Sequence, residues 1–303
     1  MSVSGWLHHL QSEAREAWRY RELLGELIKR ELTVRYKNSL FGIAWSLANP
    51  IVRALILFAV FKFVVPLNVP NYSAYLLAAF FPWTYFLTGV LDATDSVSKQ
   101  MPLVRKVYFP RELLPLATTL ANLLHFLLSL CVLGIYLLGI YGWNTLESGT
   151  LSLPPWEILL VPLLIVMQTL LIGGIALYLS AWNVFFEDVK FLTAVVLDLM
   201  FYAVPIVYFL EMVRAMPSLS PEVARLIYYL FLLNPITVVL VSYRRFLLEP
   251  SVMPAGTMGL SENLPINQGV PWAWFWFSFV LCLMIFLSGY TYFNRRKWRF
   301  VEQ

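Results

Sequence analysis

Residues 113–141 read LLPLATTLANLLHFLLSLCVLGIYLLGIY and contain no Asp, Glu, Lys or Arg. An α-helix needs about 20 predominantly apolar residues to cross the ~30 Å hydrocarbon core of a bilayer, so this stretch is long enough to span it. The rest of the chain has the same character, because 59% of its 303 residues are hydrophobic and only 13% are charged. Soluble domains carry about 25% charged residues. The sequence therefore predicts an all-α polytopic membrane protein.

Six transmembrane helices are predicted, at about 40–65, 74–95, 113–141, 158–184, 191–209 and 272–293. The apolar segment 225–248 is different, because Asn234-Pro235 interrupts its middle and Arg244-Arg245 lie near its end. Broken backbone at membrane depth is tolerated only where protein or a watery cavity satisfies it. We therefore expect a re-entrant helical hairpin between the fifth and sixth spans, within an external segment and loop at 211–271. No strand pattern is evident.

The N-terminal segment is charged and amphipathic. Apolar residues recur with a spacing of three and four, the helical period, as at Leu23, Leu24, Leu27, Ile28 and Leu32. Such a helix can lie in the headgroup plane with its apolar face toward the membrane; the alternative is a helix that packs on a partner outside it. Residues 1–39 are predicted to form cytoplasmic interface helices, and residues 40–303 the transmembrane domain.

The distribution of basic residues predicts the orientation. With the N-terminus inside, 16 of the 22 Lys and Arg residues fall in cytoplasmic segments, and the predicted outer loops 66–73 and 142–157 hold none. Cytoplasmic loops of membrane proteins carry an excess of Lys and Arg. Both termini are therefore predicted to be cytoplasmic. Because the basic residues flank apolar spans, we expect membrane lipid and no nucleic acid as a partner.

Several motifs of catalytic sites are absent from the sequence. It contains no GxxxxGK[ST] phosphate loop, no HExxH and no GxSxG motif. Its two cysteines, Cys131 and Cys282, lie in apolar stretches without the spacing of a metal site. We therefore expect no catalytic residue, no metal site and no cofactor in this chain, and any nucleotide hydrolysis by a phosphate-loop mechanism must come from another subunit.

Three stretches carry a known pattern. They are RYKNSLFGIAWSLANP at 35–50, LVRKVYFPRELLPL at 103–116 and NVFFEDV at 183–189, in which Glu187 stands where an Arg is usual. The chain resembles, over its body, the permease subunits of polysaccharide-exporting ABC transporters of the ABC-2 type, including those that export O-antigen or teichoic acid. Some capsule exporters are similar.

This resemblance implies a homodimer in a bacterial inner membrane, paired with two copies of a cytoplasmic ATP-binding subunit. ATP and Mg²⁺ would bind to that partner, and the chain itself would not be an enzyme. The implied cargo is a polyprenyl-pyrophosphate-linked glycan that crosses at the dimer interface.

The resemblance also implies roles for individual residues. The segment 98–112 would couple the chain to the ATPase, through Gln100, Leu103, Arg105, Lys106, Tyr108, Phe109, Arg111 and Glu112. The alternative is that its basic residues only fix the topology. Near the cytoplasmic membrane surface, Arg30, Arg35 and Lys37 are candidates to meet the lipid pyrophosphate, since cations at headgroup level suit an anion; ordinary anionic lipid is the alternative.

Aromatic side chains of the second and fifth spans are candidates to line a pore, because sugar rings stack on aromatic faces. They are Phe81, Trp83, Tyr85, Phe86, Tyr202, Tyr208 and Phe209. The alternative for each of them is packing or a place in the aromatic belt of the membrane interface. Charged groups inside spans are costly and usually face a cavity or a partner, so we expect Arg53 and Asp198 to pair or to face the pore.

Other functions remain open on sequence grounds. The first is an ABC exporter of a small drug or a lipid, built on the same fold. The second is an integral-membrane enzyme of glycan synthesis, although acidic and metal-binding motifs for it are missing. A secondary transporter is the third, although charged relay residues within the spans are few.

Overall fold

The computed structural model describes residues 19–36, 48, 51–53, 55–56, 59–60, 63, 69–106, 109–149, 153–216, 219–257 and 262–301. Most of the predicted first span and the first 18 residues therefore lie outside the described residues, as do Lys37 and Tyr108. The described helices are α1 (Arg21–Tyr36), α2 (Tyr72–Thr94), α3 (Ser96–Lys99), α4 (Met101–Lys106), α5 (Leu113–Ser148), α6 (Val161–Asn183), α7 (Val189–Ala203), α8 (Leu210–Arg214), α9 (Pro221–Leu233), α10 (Pro235–Leu247) and α11 (Trp272–Arg296). Short 3-10 helices precede α6 at Trp156–Leu160 and follow α11 at Lys297–Val301.

Four of the described helices are long and apolar enough to cross a membrane, namely α2, α5, α6 (with its preceding 3-10 turn) and α11. They lie where the sequence predicts spans at 74–95, 113–141, 158–184 and 272–293. Pro82 does not interrupt α2, which runs through it for 23 residues. The protein is therefore a mostly helical, multi-pass membrane protein.

The predicted fifth span, 191–209, is only partly helical. Helix α7 ends at Ala203, and residues 204–209 are irregular. The physical reason is Pro205: proline disfavours the helical region for the residue before it, and Val204 accordingly adopts an extended conformation (φ −98°, ψ 149°). The segment predicted as the fifth span is therefore helical only as far as Ala203, and whether residues 191–209 cross the membrane stays a prediction.

The irregular segment is mostly buried. Three of its carbonyl groups accept hydrogen bonds from two side chains elsewhere in the fold. Arg244 of α10 donates to the carbonyl of Tyr208 at 2.8 Å and to that of Ile206. It also donates through Nε to the carbonyl of Tyr75 at 3.0 Å. Tyr72 donates its hydroxyl to the carbonyl of Val207. These bonds supply what irregular backbone in an apolar environment requires.

Helices α9 and α10 form a pair bent by 92°. The break lies at Asn234-Pro235, where the sequence predicts it. The Asn234 side chain accepts a hydrogen bond from the Ile236 amide at 3.3 Å and caps α10, and Pro235 occupies the first helical position. Both residues are favoured there. That the pair enters and leaves the membrane on one side stays a prediction.

A small antiparallel sheet lies in the loop before α11. Strands β1 (Ser251–Met253) and β2 (Leu264–Ile266) pair with Val252 opposite Pro265. The sequence showed no strand pattern here, because three residues are too few for an alternation to be recognised. The segment predicted to be an external loop therefore contains a two-stranded antiparallel sheet.

Helices α6 and α11 pack at very short distance through glycine. A Cβ atom built on Gly289 would lie 2.5 Å from the carbonyl oxygen of Gly174, and one built on Gly174 would lie 2.7 Å from the backbone nitrogen of Phe286. Small residues let transmembrane helices approach until their backbones touch. The close pair α6–α11 thus depends on these two positions having no side chain.

The buried apolar residues form two clusters. The larger one runs along α2, α5, α6 and α10. The smaller one joins the N-terminal helix α1 to the segment between α2 and α5 and to the C-terminal end of α11, through Leu27, Val97, Val104 and Phe293 among others. The second cluster lies at those ends of the spans that face the cytoplasm according to the charge pattern.

Candidate functional site

A cavity of about 900 Å³ lies between α2, α5 and α7. One wall is aromatic and one end is polar. The aromatic residues that line it are Phe80, Phe81, Trp83, Tyr85, Phe126, Phe201 and Tyr202. The polar and charged residues that line it are Arg35, Arg53, Thr84, Thr88, Asp92, Asn122, His125, Ser129 and Asp198.

The aromatic wall is held by ring-to-ring contacts between helices. Tyr85 of α2 stacks on Phe126 of α5 with ring centroids 4.9 Å apart. Phe201 of α7 meets Phe80 edge-on at 6.4 Å and Trp83 at 6.0 Å. Such pairs are preferred aromatic geometries. The wall is therefore a preformed surface to which three different helices contribute.

Of the aromatic residues predicted to line a pore, Phe81, Trp83, Tyr85 and Tyr202 lie at this cavity. Phe86 packs against Trp83 at 5.6 Å but is not among the lining residues. Tyr208 and Phe209 also lie elsewhere. Tyr208 belongs to the irregular segment, and the Phe209 ring lies 5.0 Å from the Arg244 guanidinium. The structure thus brings four of the seven together, and their role in transport stays a prediction.

The polar end of the cavity is built around Arg35. Its guanidinium forms an ion pair with Asp92 of α2 at 2.6 Å and donates to the Asn122 side-chain oxygen of α5 at 2.9 Å. The Asn122 amide nitrogen donates in turn to Asp92 at 3.1 Å. We call Arg35, Asp92 and Asn122 the polar cluster. It ties the last turn of α1 to two candidate membrane helices.

Arg53 and Asp198, the predicted intramembrane charges, both line this cavity. They share it with His125. Asp198 lies on α7, whose outward face is strongly exposed in the single chain. That Arg53 and Asp198 pair or face the pore stays a prediction.

The predicted coupling segment divides into exposed and buried residues. Arg105 and Lys106 are exposed, and Leu103 is half-buried. Gln100, Phe109 and Glu112 are buried. Glu112 pairs with Lys297 at 3.4 Å, and Arg111 donates to the Lys297 carbonyl.

Gln100 contacts Arg30 of α1, so Arg30 is already bonded within the chain. Arg105 and Lys106 are exposed, and that they meet a partner subunit stays a prediction.

Asn183 is a further residue of interest, and it begins the third recognised motif. It is buried at the end of α6, and its side-chain nitrogen donates to Asp95 and to Ser98, each at 3.3 Å. Its side-chain oxygen accepts from the Lys190 amide at 3.1 Å. Asn183 therefore fastens the turn between α6 and α7 to the start of the coupling segment.

Sequence reasoning missed Phe80, Phe126 and Phe201, and it did not place Asn122 at the cavity. A signal was present for Asn122: polar residues recur along α5 with spacing of three and four, at Thr118, Asn122, His125 and Ser129. In an otherwise apolar helix, a polar stripe with this period marks one face. That face is the side of α5 at which Asn122, His125 and Ser129 meet the cavity.

Comparison with known proteins gives a consistent result. Two O-antigen export system permease proteins RfbA from Klebsiella pneumoniae are 27% and 28% identical to this chain over 281 residues, which is 93% of the chain and 94% of each relative. An O-antigen export system permease protein RfbA from Myxococcus xanthus is 30% identical over 78% of the chain and 84% of its own length. The family model for ABC-2 type transporters matches residues 22–248. The chain is therefore a member of the ABC-2 type transporter family.

Proposed function

We propose that this chain is the membrane subunit of an ATP-driven exporter that moves a polyprenyl-pyrophosphate-linked polysaccharide of the O-antigen class out of the cytoplasm. It works as a homodimer in a bacterial inner membrane. Two ATP-binding subunits, which carry the ATP and Mg²⁺, drive the cycle. The chain performs no covalent chemistry.

The observation that carries this proposal is the aromatic wall of the cavity, in a chain whose relatives are named as O-antigen export permeases over most of its length. Aromatic faces offer sugar rings a contact surface that does not depend on the pattern of hydroxyl groups. A chain of sugars must slide past such a surface one residue after another. Stacking suits that motion better than a set of directional hydrogen bonds, which would have to break at each step.

The exposed face of α7 supports the homodimer. Phe191, Val195, Leu199 and Tyr202 are each more than half exposed on this 15-residue helix. Asp198 is exposed beside them. Asp198 also lines the cavity, and a carboxylate left exposed to lipid within a span is costly. A second copy packed near α7 removes that cost and encloses a pathway between the two cavities.

The charged residues at the predicted cytoplasmic side supply the remaining roles. Arg105 and Lys106 project from α4 and contact acidic surface on the ATP-binding subunit. Arg30, Arg35 and Lys37 attract the pyrophosphate of the carrier lipid, since anionic phosphate and guanidinium form strong charge-assisted hydrogen bonds. In the free chain Arg35 is neutralised by Asp92, so the headgroup replaces Asp92 as its partner.

The experiment is depletion of this chain in its host, followed by separate extraction of surface glycan and of lipid-linked glycan. The expected result is loss of surface polysaccharide, with long glycan accumulating on its polyprenyl carrier inside the cell. Re-expression of the wild-type chain should reverse both effects, whereas re-expression together with an ATP-binding subunit whose phosphate-loop lysine is changed should not.

Normal surface glycan with no lipid-linked intermediate after depletion would refute polysaccharide export. In that case the loss of resistance to apolar drugs, or a change in the lipid composition of the outer leaflet, would identify an exporter of small molecules. Synthesis or modification of glycan by the purified chain without any ATP-binding subunit would instead identify an enzyme.

A further inference from the structure

The side chain of Gln100 joins the segment between α2 and α5 to helix α1. Gln100 lies at the junction of α3 and α4 and is 7% exposed. Its amide oxygen accepts a hydrogen bond from Arg30 Nη1 at 3.0 Å, and its amide nitrogen donates to Glu31 Oε1 at 2.8 Å. Arg30 and Glu31, two consecutive residues of α1, therefore bind the oxygen and the nitrogen of the same side-chain amide.

A neutral amide is the side chain that fits this pair of partners. Glutamine carries both an acceptor and a donor group at its end, whereas a carboxylate only accepts and an ammonium group only donates. A carboxylate at position 100 would keep the bond from Arg30 but would repel Glu31. Because both partners are ionised, each bond is of the charge-assisted kind, which is shorter and stronger than a bond between neutral groups.

The next turn of α1 carries a second attachment. Arg35 follows Glu31 by four residues, so the two side chains share one face and lie about 6 Å apart along the helix axis. Arg35 is bonded to Asp92 and Asn122 at the polar end of the cavity. One helix of 16 residues is thus bonded to the coupling segment at one turn and to the cavity at the next.

An apolar anchor lies one turn earlier on the same helix. Leu27 is 4% exposed and belongs to the same hydrophobic cluster as Val97 of α3 and Val104 of α4. Leu27, Glu31 and Arg35 follow one another at intervals of four residues. Along the face of α1 that they define, Leu27 and the turn of Glu31 contact the coupling segment, and the following turn with Arg35 contacts the cavity.

We propose that α1 transmits movement of the coupling segment to the polar cluster, and that Gln100 is the positioning residue that connects the two. This inference rests on the proposed function, in which the ATP-binding subunit displaces α3 and α4. A rigid helix carries such a displacement along its length. Through Gln100, α1 moves with the segment, and Arg35 moves relative to Asp92 and Asn122, which alters the polar end of the cavity.

The test uses three variants in the assembled complex with the ATP-binding subunit. Gln100→Glu breaks the bond to Glu31. Glu31→Gln leaves an acceptor for Gln100 and serves as the matched control. The double variant Gln100→Glu, Glu31→Gln rebuilds the link with donor and acceptor exchanged, since the new amide at position 31 donates to the new carboxylate at position 100, which still accepts from Arg30.

Two readouts are measured beside the amount of assembled complex. One is glycan exported per ATP hydrolysed. The other readout does not depend on the cargo. A cysteine is introduced by Thr88→Cys in a chain whose own cysteines are removed by Cys131→Ser and Cys282→Ala. The rate at which a water-soluble maleimide labels this cysteine is then measured with and without ATP. Thr88 lines the cavity one turn before Asp92. Gln100→Glu is expected to lower export per ATP by about fivefold or more and to abolish the ATP-dependent change in labelling, and the double variant is expected to restore both.

The inference is overturned if the labelling of Thr88→Cys responds to ATP in Gln100→Glu as it does in the parent. It is also overturned if the double variant assembles but stays as defective as Gln100→Glu, because the bond is then not the connecting element. If labelling follows the expected pattern while no variant, nor the parent, exports glycan, the transmission through α1 stands and the proposed cargo is wrong.

Discussion

The close approach of α6 and α11 makes a quantitative prediction for Gly174→Ala. The new Cβ atom would lie 2.7 Å from the backbone nitrogen of Phe286 and 2.8 Å from the carbonyl carbon and oxygen of Ile285, where ordinary contact begins at 3.4 Å. All three neighbours are backbone atoms, so no side chain can rotate away. The two helices must separate by about 0.7 Å at this point. Overpacking of this kind costs about 1–3 kcal/mol.

The expected result is a fall in thermal stability of several degrees, since 1 kcal/mol shifts the midpoint of a domain of 150–250 residues by about 2–4 °C. Tryptophan fluorescence of the purified complex in nanodiscs, followed on heating, measures it. Gly134→Ala is the matched control: it lies in α5, and nothing is within 4 Å of its Cβ. This control should leave the midpoint unchanged or raise it, because alanine favours a helix over glycine by about 1 kcal/mol.

Equal midpoints for Gly174→Ala and Gly134→Ala would refute the reasoning, because they would mean that the helices are not in backbone contact at this position. Gly289→Ala provides an independent check from the opposite helix, since its Cβ would lie 2.5 Å from the carbonyl oxygen of Gly174. It should destabilise the complex at least as much as Gly174→Ala does.

Three further predictions concern single side chains. Arg244→Met should destabilise the complex by about 2 kcal/mol or more, because the carbonyl groups of Ile206 and Tyr208 in the irregular segment lose a donor at about 1–3 kcal/mol each. Exposed Arg225→Met should have little effect in the same thermal assay. Tyr202→Ala should reduce glycan export. Val280→Ala, at an exposed position of α11 that does not line the cavity, should not, and equal export by the two variants would show that the Tyr202 ring is not used. Burial raises the pKa of Glu211, outside the predicted spans, above its ordinary value. The folded state therefore binds this proton more tightly than the unfolded state, and stability should fall as pH rises from about 4.3 through the raised pKa; Glu211→Gln should flatten that part of the profile, and an unchanged profile would contradict the assignment.

The sequence predicted those features of the fold that depend on local composition. Hydropathy located α2, α5, α6 and α11 to within a few residues at most ends, because an apolar stretch of about 20 residues is long enough to cross a bilayer as a helix. The break at Asn234-Pro235 was equally visible, since a cap and a proline act on their immediate neighbours.

Features that depend on distant partners were not predictable in this way. Arg244 was visible only as a charge near the end of an interrupted segment, and nothing local indicates that it bonds to carbonyl groups 36 and 38 residues earlier. Gln100 was named for its place in a motif, whereas its bonds to Arg30 and Glu31 cross about 70 residues of sequence. Which side chains pair in this way depends on how the helices pack in three dimensions. Helix packing between distant segments cannot be inferred from the local pattern of a single sequence.

The arrangement around Arg244 has a consequence for how the chain is made. The carbonyl groups of Ile206 and Tyr208 find their donor only when a residue 36 to 38 positions later has been synthesised. At about 5–20 residues per second, the ribosome needs roughly 2 to 7 s to deliver it. During that interval Tyr72 can already donate to the carbonyl of Val207, but the carbonyl groups of Ile206 and Tyr208 lack the donor that Arg244 later supplies, and unbonded carbonyl groups are costly in lipid. The insertion machinery must therefore keep these carbonyl groups in contact with water or protein until α10 has been synthesised, and a chain truncated within α9 never acquires their donor.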